Sequence, residues 1–226
     1  MNETENHMKK RTSIRIVYYF AGMIIMALGI GISVKSDLGV SPVSSIPYTM
    51  TCVFGIEMGR ATIIFHCALV LLQLIILRKN FKLKNLLQVA VGFLFGYLTT
   101  LSNYIMSFFP SPDNFGIRLA MMITSAFLIA AGVFFYVPAD LIPLAGEGFM
   151  LAVSEKTGFK FSNVKLVFDS SMVIMSLIAC LIFIHSMGSV GIGTIIAAVL
   201  VGLIVKLFTK CIGKYADRIL YINDEN

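Results

Sequence analysis

The constraint that weighs most on this chain is a repeat. Shifted by 103 positions, residues 14–80 fall on residues 117–183 without a gap. Arg15 meets Arg118, Gly29 meets Gly132, Asp37-Leu38 meets Asp140-Leu141, Gly55 meets Gly158 and Phe65 meets Phe168. Three residues inserted near Gly188–Val190 then bring Gly96 onto Gly202. Two copies of one run of long apolar segments is the pattern of many transporter folds, in which the substrate site forms where the halves meet.

Composition says where such a chain lives. Of 226 residues, 58% are hydrophobic and 13% charged, and the mean hydropathy is +0.88. A water-soluble domain cannot hide that much apolar surface, so the chain is polytopic in a membrane. The net charge of +6 comes from basic residues beside apolar runs, where positive-inside topology puts them. Nucleic acid is therefore excluded as a partner. Cys52, Cys67, Cys180 and Cys211 lie in or beside apolar segments without CxxC spacing and read as small hydrophobes. The first apolar run follows Lys9-Lys10-Arg11 and Arg15 but has no small-residue cleavage site, and its copy at 117–137 cannot be a signal, so both read as spans.

Six segments reach the ~20 residues a bilayer needs: 15–35, 60–78, 85–108, 117–137, 163–184 and 189–209. Two more, 41–55 and 142–155, are apolar but short, and they are equivalent under the repeat. Charge decides how they are placed. The N-terminus, the Arg78–Lys84 loop and a C-terminal cluster of Lys206, Lys210, Lys214 and Arg218 are all basic and belong in the cytoplasm. That holds only if each short segment enters and leaves on one side. The expected fold is an all-α membrane protein of six transmembrane helices plus two re-entrant half-helices in a 3+3 inverted repeat. Its parts are a cytoplasmic tail (1–13), repeat 1 (14–110), repeat 2 (111–212) and a second cytoplasmic tail (213–226).

Irregular backbone at membrane depth is tolerated only inside protein or along a cavity. The two tips are therefore the expected solute site: Ser41, Pro42, Ser44 and Ser45 on one, and Pro143, Gly146, Glu147 and Gly148 on the other. Proline in the first turn after Ser41 suits a helix start, whose free amides favour an anionic group. Glu147 lies between two glycines in an apolar segment. It either binds a proton, cation or amine, or reaches the aqueous interface. Asp169 and His66 are repeat equivalents and are expected to face the boundary between halves, as coupling groups or as structural hydrogen-bonders. Asp37 and Asp140 each close a long span. They read as turn residues bonding nearby amides, or as gates. Lys35 sits on the expected outer side, as a surface charge or a lure for anions. Gly92 and Gly96 form a GxxxG suited to helix packing.

The stretch Gly29-Ile-Gly-Ile-Ser-Val-Lys-Ser-Asp-Leu-Gly-Val-Ser-Pro-Val resembles the opening of the YczE/YyaS/YitT-type bacterial membrane proteins. Gly191-Ile-Gly-Thr-Ile-Ile-Ala-Ala-Val-Leu-Val-Gly202 resembles their closing helix. The resemblance covers nearly the whole chain and implies a multi-pass protein of the bacterial plasma (inner) membrane, without implying a substrate. The second half has Ile-Pro-Leu-Ala-Gly-Glu-Gly in place of Gly-Val-Ser-Pro, so the two tips differ chemically, as suits an asymmetric ligand.

No Walker A, H-E-x-x-H, Cys/His cluster or G-x-S-x-G occurs. The chain is therefore not expected to be an enzyme, to hold a metal or to carry a cofactor. The expected function is secondary transport of a small polar or amphipathic solute, with a carboxylate group coupling it to a proton or cation. A passive channel and a non-transporting membrane partner of another complex are the alternatives. The expected partners are the bilayer and the solute, with self-association left open.

Overall fold

The computed structural model describes residues 3–220, all of it helix and connecting loop. Residues 1–2 and 221–226, the ends of the two expected tails, lie outside the described residues, as do the side chains of Lys9, Lys10 and Arg11. There are eight α-helices: α1 (Glu3–Ser36), α2 (Pro42–Phe54), α3 (Met58–Leu77), α4 (Leu87–Ser107), α5 (Phe115–Tyr136), α6 (Ala145–Thr157), α7 (Phe161–Ile184) and α8 (Ile192–Leu220). Six are long and apolar enough to cross a membrane, and α2 and α6 are not among them. At 13 residues each, the latter are about 20 Å long, against a hydrocarbon core of about 30 Å.

The 103-residue offset holds for element boundaries as well as residues. Pro42–Phe54 maps end for end onto Ala145–Thr157, and Met58 maps onto Phe161. Gly55 and Gly158 terminate α2 and α6 in the left-handed conformation, with φ of 68° and 75°. A residue with a Cβ is disfavoured there. Asp37 and Asp140 also share that conformation, at φ 52° and 45°.

The most extensive helix contact joins α1 to α5. The two run antiparallel, with Gly22 against Gly132 near one end and Gly29 against Ser125 further along. A Cβ on Gly132 would lie 2.6 Å from the Gly22 carbonyl oxygen, and one on Gly22 would lie 2.7 Å from the Gly132 oxygen. Ser125 Oγ donates to the Gly29 carbonyl at 2.7 Å. Such close backbone approach through small residues holds helices together in lipid, where apolar side chains gain little by leaving the solvent.

On this pair the rest assembles. α4 lies along α1 and runs parallel to it, with Tyr19 and Val91 sharing one core cluster and Gly31 against Ser102. α8 lies along α5, likewise parallel, with Gly193 against Met122 and Phe208 against Phe127 and Phe134. α2 packs on α7 and α3, and α6 packs on α3 and α7. α3 and α4 form a close hairpin in which the Gly59 and Gly96 backbones meet and Gly92 takes His66. The GxxxG is thus a packing device, as its spacing suggests. Among the described residues α7 and α8 form no such hairpin, and Gly202 has nothing within 4 Å.

Two boundaries differ from the sequence reading. α1 begins at Glu3 instead of near residue 15, and α8 continues to Leu220 instead of stopping near residue 209. Hydropathy marks where a helix is apolar, not where it ends. Lys206, Lys210, Lys214 and Arg218 recur every four residues, so the basic residues share a stripe without breaking the helix.

The spacing at Gly132 and the openness at Gly202 make a direct comparison. Gly132→Leu overpacks the α1–α5 contact and is expected to cost about 1–3 kcal/mol. Its thermal midpoint in detergent falls by several degrees, whereas that of Gly202→Leu stays close to the parent protein.

Candidate functional site

The α1–α5 pair carries a charged contact at each end. At one end Arg118, in the first turn of α5, donates from Nε to the Ser36 carbonyl at 2.8 Å. Its Nη2 pairs with the Asp37 carboxylate at 2.6 Å and also bonds the Asp37 carbonyl. At the other end Arg15 donates from Nε to the Ala139 carbonyl at 2.8 Å and from Nη2 to the Asp140 carbonyl at 2.6 Å. The Asp140 carboxylate is 3.5 Å away. Each residue of one set is the 103-offset equivalent of a residue of the other, so the two contacts are reciprocal. Asp37 and Asp140 both stand at left-handed turns, their N–H groups donating to the Val34 and Val137 carbonyls, and their carboxylates face the arginine of the other half. Their side chains are 77% and 81% exposed, and the arginine of the other half spans the carbonyls behind them.

Each pair stands at the edge of its own cleft. Arg15 and Asp140 line one of about 720 Å³, together with Tyr19, Lys84 and Leu94. Asp37 and Arg118 line another of about 630 Å³, with Lys35, Tyr48 and Asn103. The two clefts open at opposite ends of the α1–α4 seam.

Between them lie the tips. Val43 and Gly146 are repeat equivalents and face each other, with a Cβ on Gly146 falling 3.7 Å from Val43 Cγ1. Val43 and Ile46 also pack on the cluster of Ala145, Met150 and Phe168. The first turns of α2 and α6 therefore touch, and Ser41–Ser45 line neither cleft. Ser41 makes no side-chain cap to α2; its Oγ donates to Ser44 Oγ at 3.1 Å, and Ser45 Oγ donates to the Pro42 carbonyl at 2.6 Å. The loop leading into α2 is pinned by the α7–α8 connection and the start of α8: Val40 N–H donates to the Ser189 carbonyl at 3.2 Å and Gly193 N–H to the Leu38 carbonyl at 2.8 Å. Pro143 and Gly148 line a third, smaller pocket of about 140 Å³ beside Gln73 and Gln88.

Glu147 occupies the position equivalent to Ser44 and stands in the first turn of α6. It interacts with the Tyr136 hydroxyl, and Lys165 is the cation in electrostatic reach. Lys165 in turn holds Asp169 at 2.9 Å, one helical turn on. Asp169 Oδ1 is buried without a partner. His66 is elsewhere: it is buried against Gly92 and Phe95 of its own half, with Nδ1 unpartnered. No hydrogen bond or ion pair among the described residues joins it to Glu147 or Asp169. Likewise, no three His, Cys, Asp or Glu side chains among the described residues gather as a metal site would need.

Sequence reasoning missed two groups that shape the second tip. Tyr19 Oη donates to the Ile142 carbonyl at 2.6 Å, and Tyr136 Oη accepts the Leu144 N–H at the start of α6. Gln73 and Gln88 bond each other at 2.9 and 3.2 Å, and Gln73 Nε2 also donates to the Ala145 carbonyl at 3.2 Å. Tyrosines in apolar helices read as interfacial belt residues, and a lone glutamine reads as packing. Only the fold puts each pair together.

These features define, among the described residues, an integral membrane protein with six helices long and apolar enough to span and two short ones. The chain belongs to a family of unknown function, DUF6198, whose model matches residues 13–210. It is 30% identical over 201 residues to the uncharacterized membrane protein YczE of Bacillus subtilis (strain 168), covering 88% of this chain and 87% of that one. It is 23% identical over 210 residues to the uncharacterized protein YyaS of the same strain, covering 89% and 96%. The resemblance read from the Asp-Leu-Gly-Val-Ser-Pro stretch is therefore correct. No solved structure matches the chain.

Tyr136→Phe removes the acceptor for the Leu144 amide and the partner of Glu147. It is expected to destabilise the fold by about 1–3 kcal/mol, read as a lower detergent midpoint. Asp37→Asn, at an exposed ion pair, is expected to cost at most about 1 kcal/mol in the same assay. Arg118→Ala is expected to cost more than Asp37→Asn, because it also strips the Ser36 and Asp37 carbonyls.

Proposed function

We propose that this chain is a secondary transporter of a small polar or amphipathic solute, built from two inverted repeats. The reciprocal Arg15–Asp140 and Arg118–Asp37 contacts carry the reading. A residue that meets its partner's equivalent, and is met in return, supports a two-fold relation between halves. The antiparallel run of α1 and α5 favours an axis across them, in the membrane plane. The offset-matched short helices support the second element of the reading: α2 and α6 are half-helices that re-enter from opposite faces, with Val43 and Gly146 meeting near the midplane.

In this reading the site forms between the tips when one half rocks against the other. Ser41, Pro42, Ser44 and Ser45 contribute one wall, and Pro143, Gly146, Glu147 and Gly148 the other. The touching tips correspond to a closed conformation. Each Arg–Asp pair gates the cleft at its own end, so parting one opens one route while the other holds. Glu147 takes the coupling proton or cation, and Asp169 competes with it for Lys165. His66 serves from the equivalent place on α3. The protein resides in the bacterial plasma membrane with both termini cytoplasmic.

Two measurements test this. In a background free of Cys52, Cys67, Cys180 and Cys211, single cysteines replacing the exposed Asp37, Arg60 and Met187 and the part-buried Pro112 are expected to react with an impermeant thiol reagent on intact cells. Cysteines replacing Asn80, Asp140 and Gly158 are expected to stay unlabelled until the cells are opened. Labelling at 80 with protection at 60 makes the short helices spans and overturns the two-tip site. In proteoliposomes, Glu147→Gln is expected to abolish gradient-driven uptake from a mixed pool of labelled small metabolites while retaining the fold. Equal uptake by Glu147→Gln removes that carboxylate from coupling, and a well-folded parent protein that moves no solute overturns transport itself.

A further inference from the structure

The cleft of about 720 Å³ at the Arg15 end has a composition that the transport reading does not use. Its walls are apolar, with Phe20 and Ala90 exposed on its flanks and Val91 and Leu94 behind them. Its mouth is charged, carrying Arg15, Asp140 and Lys84. Arg15 and Asp140 face each other and offset each other's charge. Lys84 lies in the short 3₁₀ turn Leu83–Leu86 leading into α4 and is exposed. Among the described residues its side chain has no ion pair or hydrogen bond. Arg78, Lys79 and Lys82 precede it in the same loop, raising the local positive potential. The groove runs between two spanning helices, so its apolar walls meet acyl chains, and its mouth lies at the end of the span, at headgroup depth.

From this we infer that the α1–α4 cleft is a binding site for an anionic phospholipid, with an acyl chain against Phe20, Val91 and Leu94 and the phosphate at Lys84. Charge complementarity chooses the occupant. A zwitterionic lipid offers the same chain, but its own cation opposes Lys84. A free phosphate offers the charge and leaves the apolar walls uncovered. Basic pockets between transmembrane helices are a known way of holding acidic headgroups, and each basic residue near such a surface contributes about 1 kcal/mol. The site does not involve Glu147, although Arg15 and Asp140 at its mouth are the pair that the transport reading makes the gate at this end.

The chain contains no tryptophan, so one introduced at Phe20 reports on this cleft alone. Phe20→Trp protein is reconstituted in vesicles of unlabelled phosphatidylcholine containing increasing fractions of acyl-brominated phosphatidylglycerol or phosphatidylcholine. Quenching is expected to show about a fivefold preference for the anionic lipid, the equivalent of one such charge. Lys84→Gln is expected to abolish the preference, whereas Lys79→Gln, in the same loop but outside the cleft, keeps it. Soluble glycerol phosphate is expected not to relieve quenching. Equal quenching by the two lipids overturns the proposal. So does a preference that survives Lys84→Gln, which would reflect general attraction to the basic face. Relief by glycerol phosphate would make the site one for a soluble phosphate. Folding of each variant is read from its detergent midpoint, and the lipid comparison within the Phe20→Trp protein does not depend on Lys84→Gln folding.

Discussion

The approach of α1 to α5 sets the geometry at which every other element assembles. In lipid there is little to gain from hiding one apolar side chain against another, so a lasting helix contact needs close backbones, polar bonds or both. This pair has both. Gly22, Gly29 and Gly132 bring the backbones together, Ser125 bonds across them, and an arginine at each end caps the carbonyls of the opposite helix. α4 and α8 then lie along the outer sides of the pair. The carbonyls held by Arg118 and Arg15 belong to Ser36–Asp37 and Ala139–Asp140, where the chain leaves each long helix. Fixing those exits aims the following segments at each other, which is why Val43 and Gly146 meet.

Much of this architecture was legible before any coordinates. The 103-residue offset located both short helices and their glycine ends, because duplicated residues meet duplicated backbone demands. What could not be read is what arises only between halves. Arg15 looked like one more member of a basic terminus, and its bond to Asp140 spans 125 residues. Asp37 seemed adequately explained by its own turn. The tyrosine contacts around Ile142 and Leu144 and the Gln73–Gln88 pair are likewise products of packing. Glu147 was singled out as unusual; its neighbours are Tyr136 and Lys165, and His66 lies elsewhere.

The departures from symmetry are as informative as the symmetry. Ser44 in one tip corresponds to Glu147 in the other, and His66 to Asp169, so the second half carries the acidic groups. The first half closes α3 onto α4 through Gly59 and Gly96. In the second half, which has three more residues at Gly188–Val190, Gly202 faces open space. The first half has a tight α3–α4 hairpin, and among the described residues the second has no such α7–α8 contact.

The packing also separates two ideas that a duplicated sequence invites one to merge. A repeat of about a hundred residues has the length of a domain, but here α1 leans on α5, α2 on α7 and α3 on α6. Each copy finds much of its interior in the other. The 103-residue stretch is not a unit of folding. The exposed connection between Ser107 and Phe115 can be cut without removing any of these contacts, yet neither piece has a finished core until it meets its counterpart.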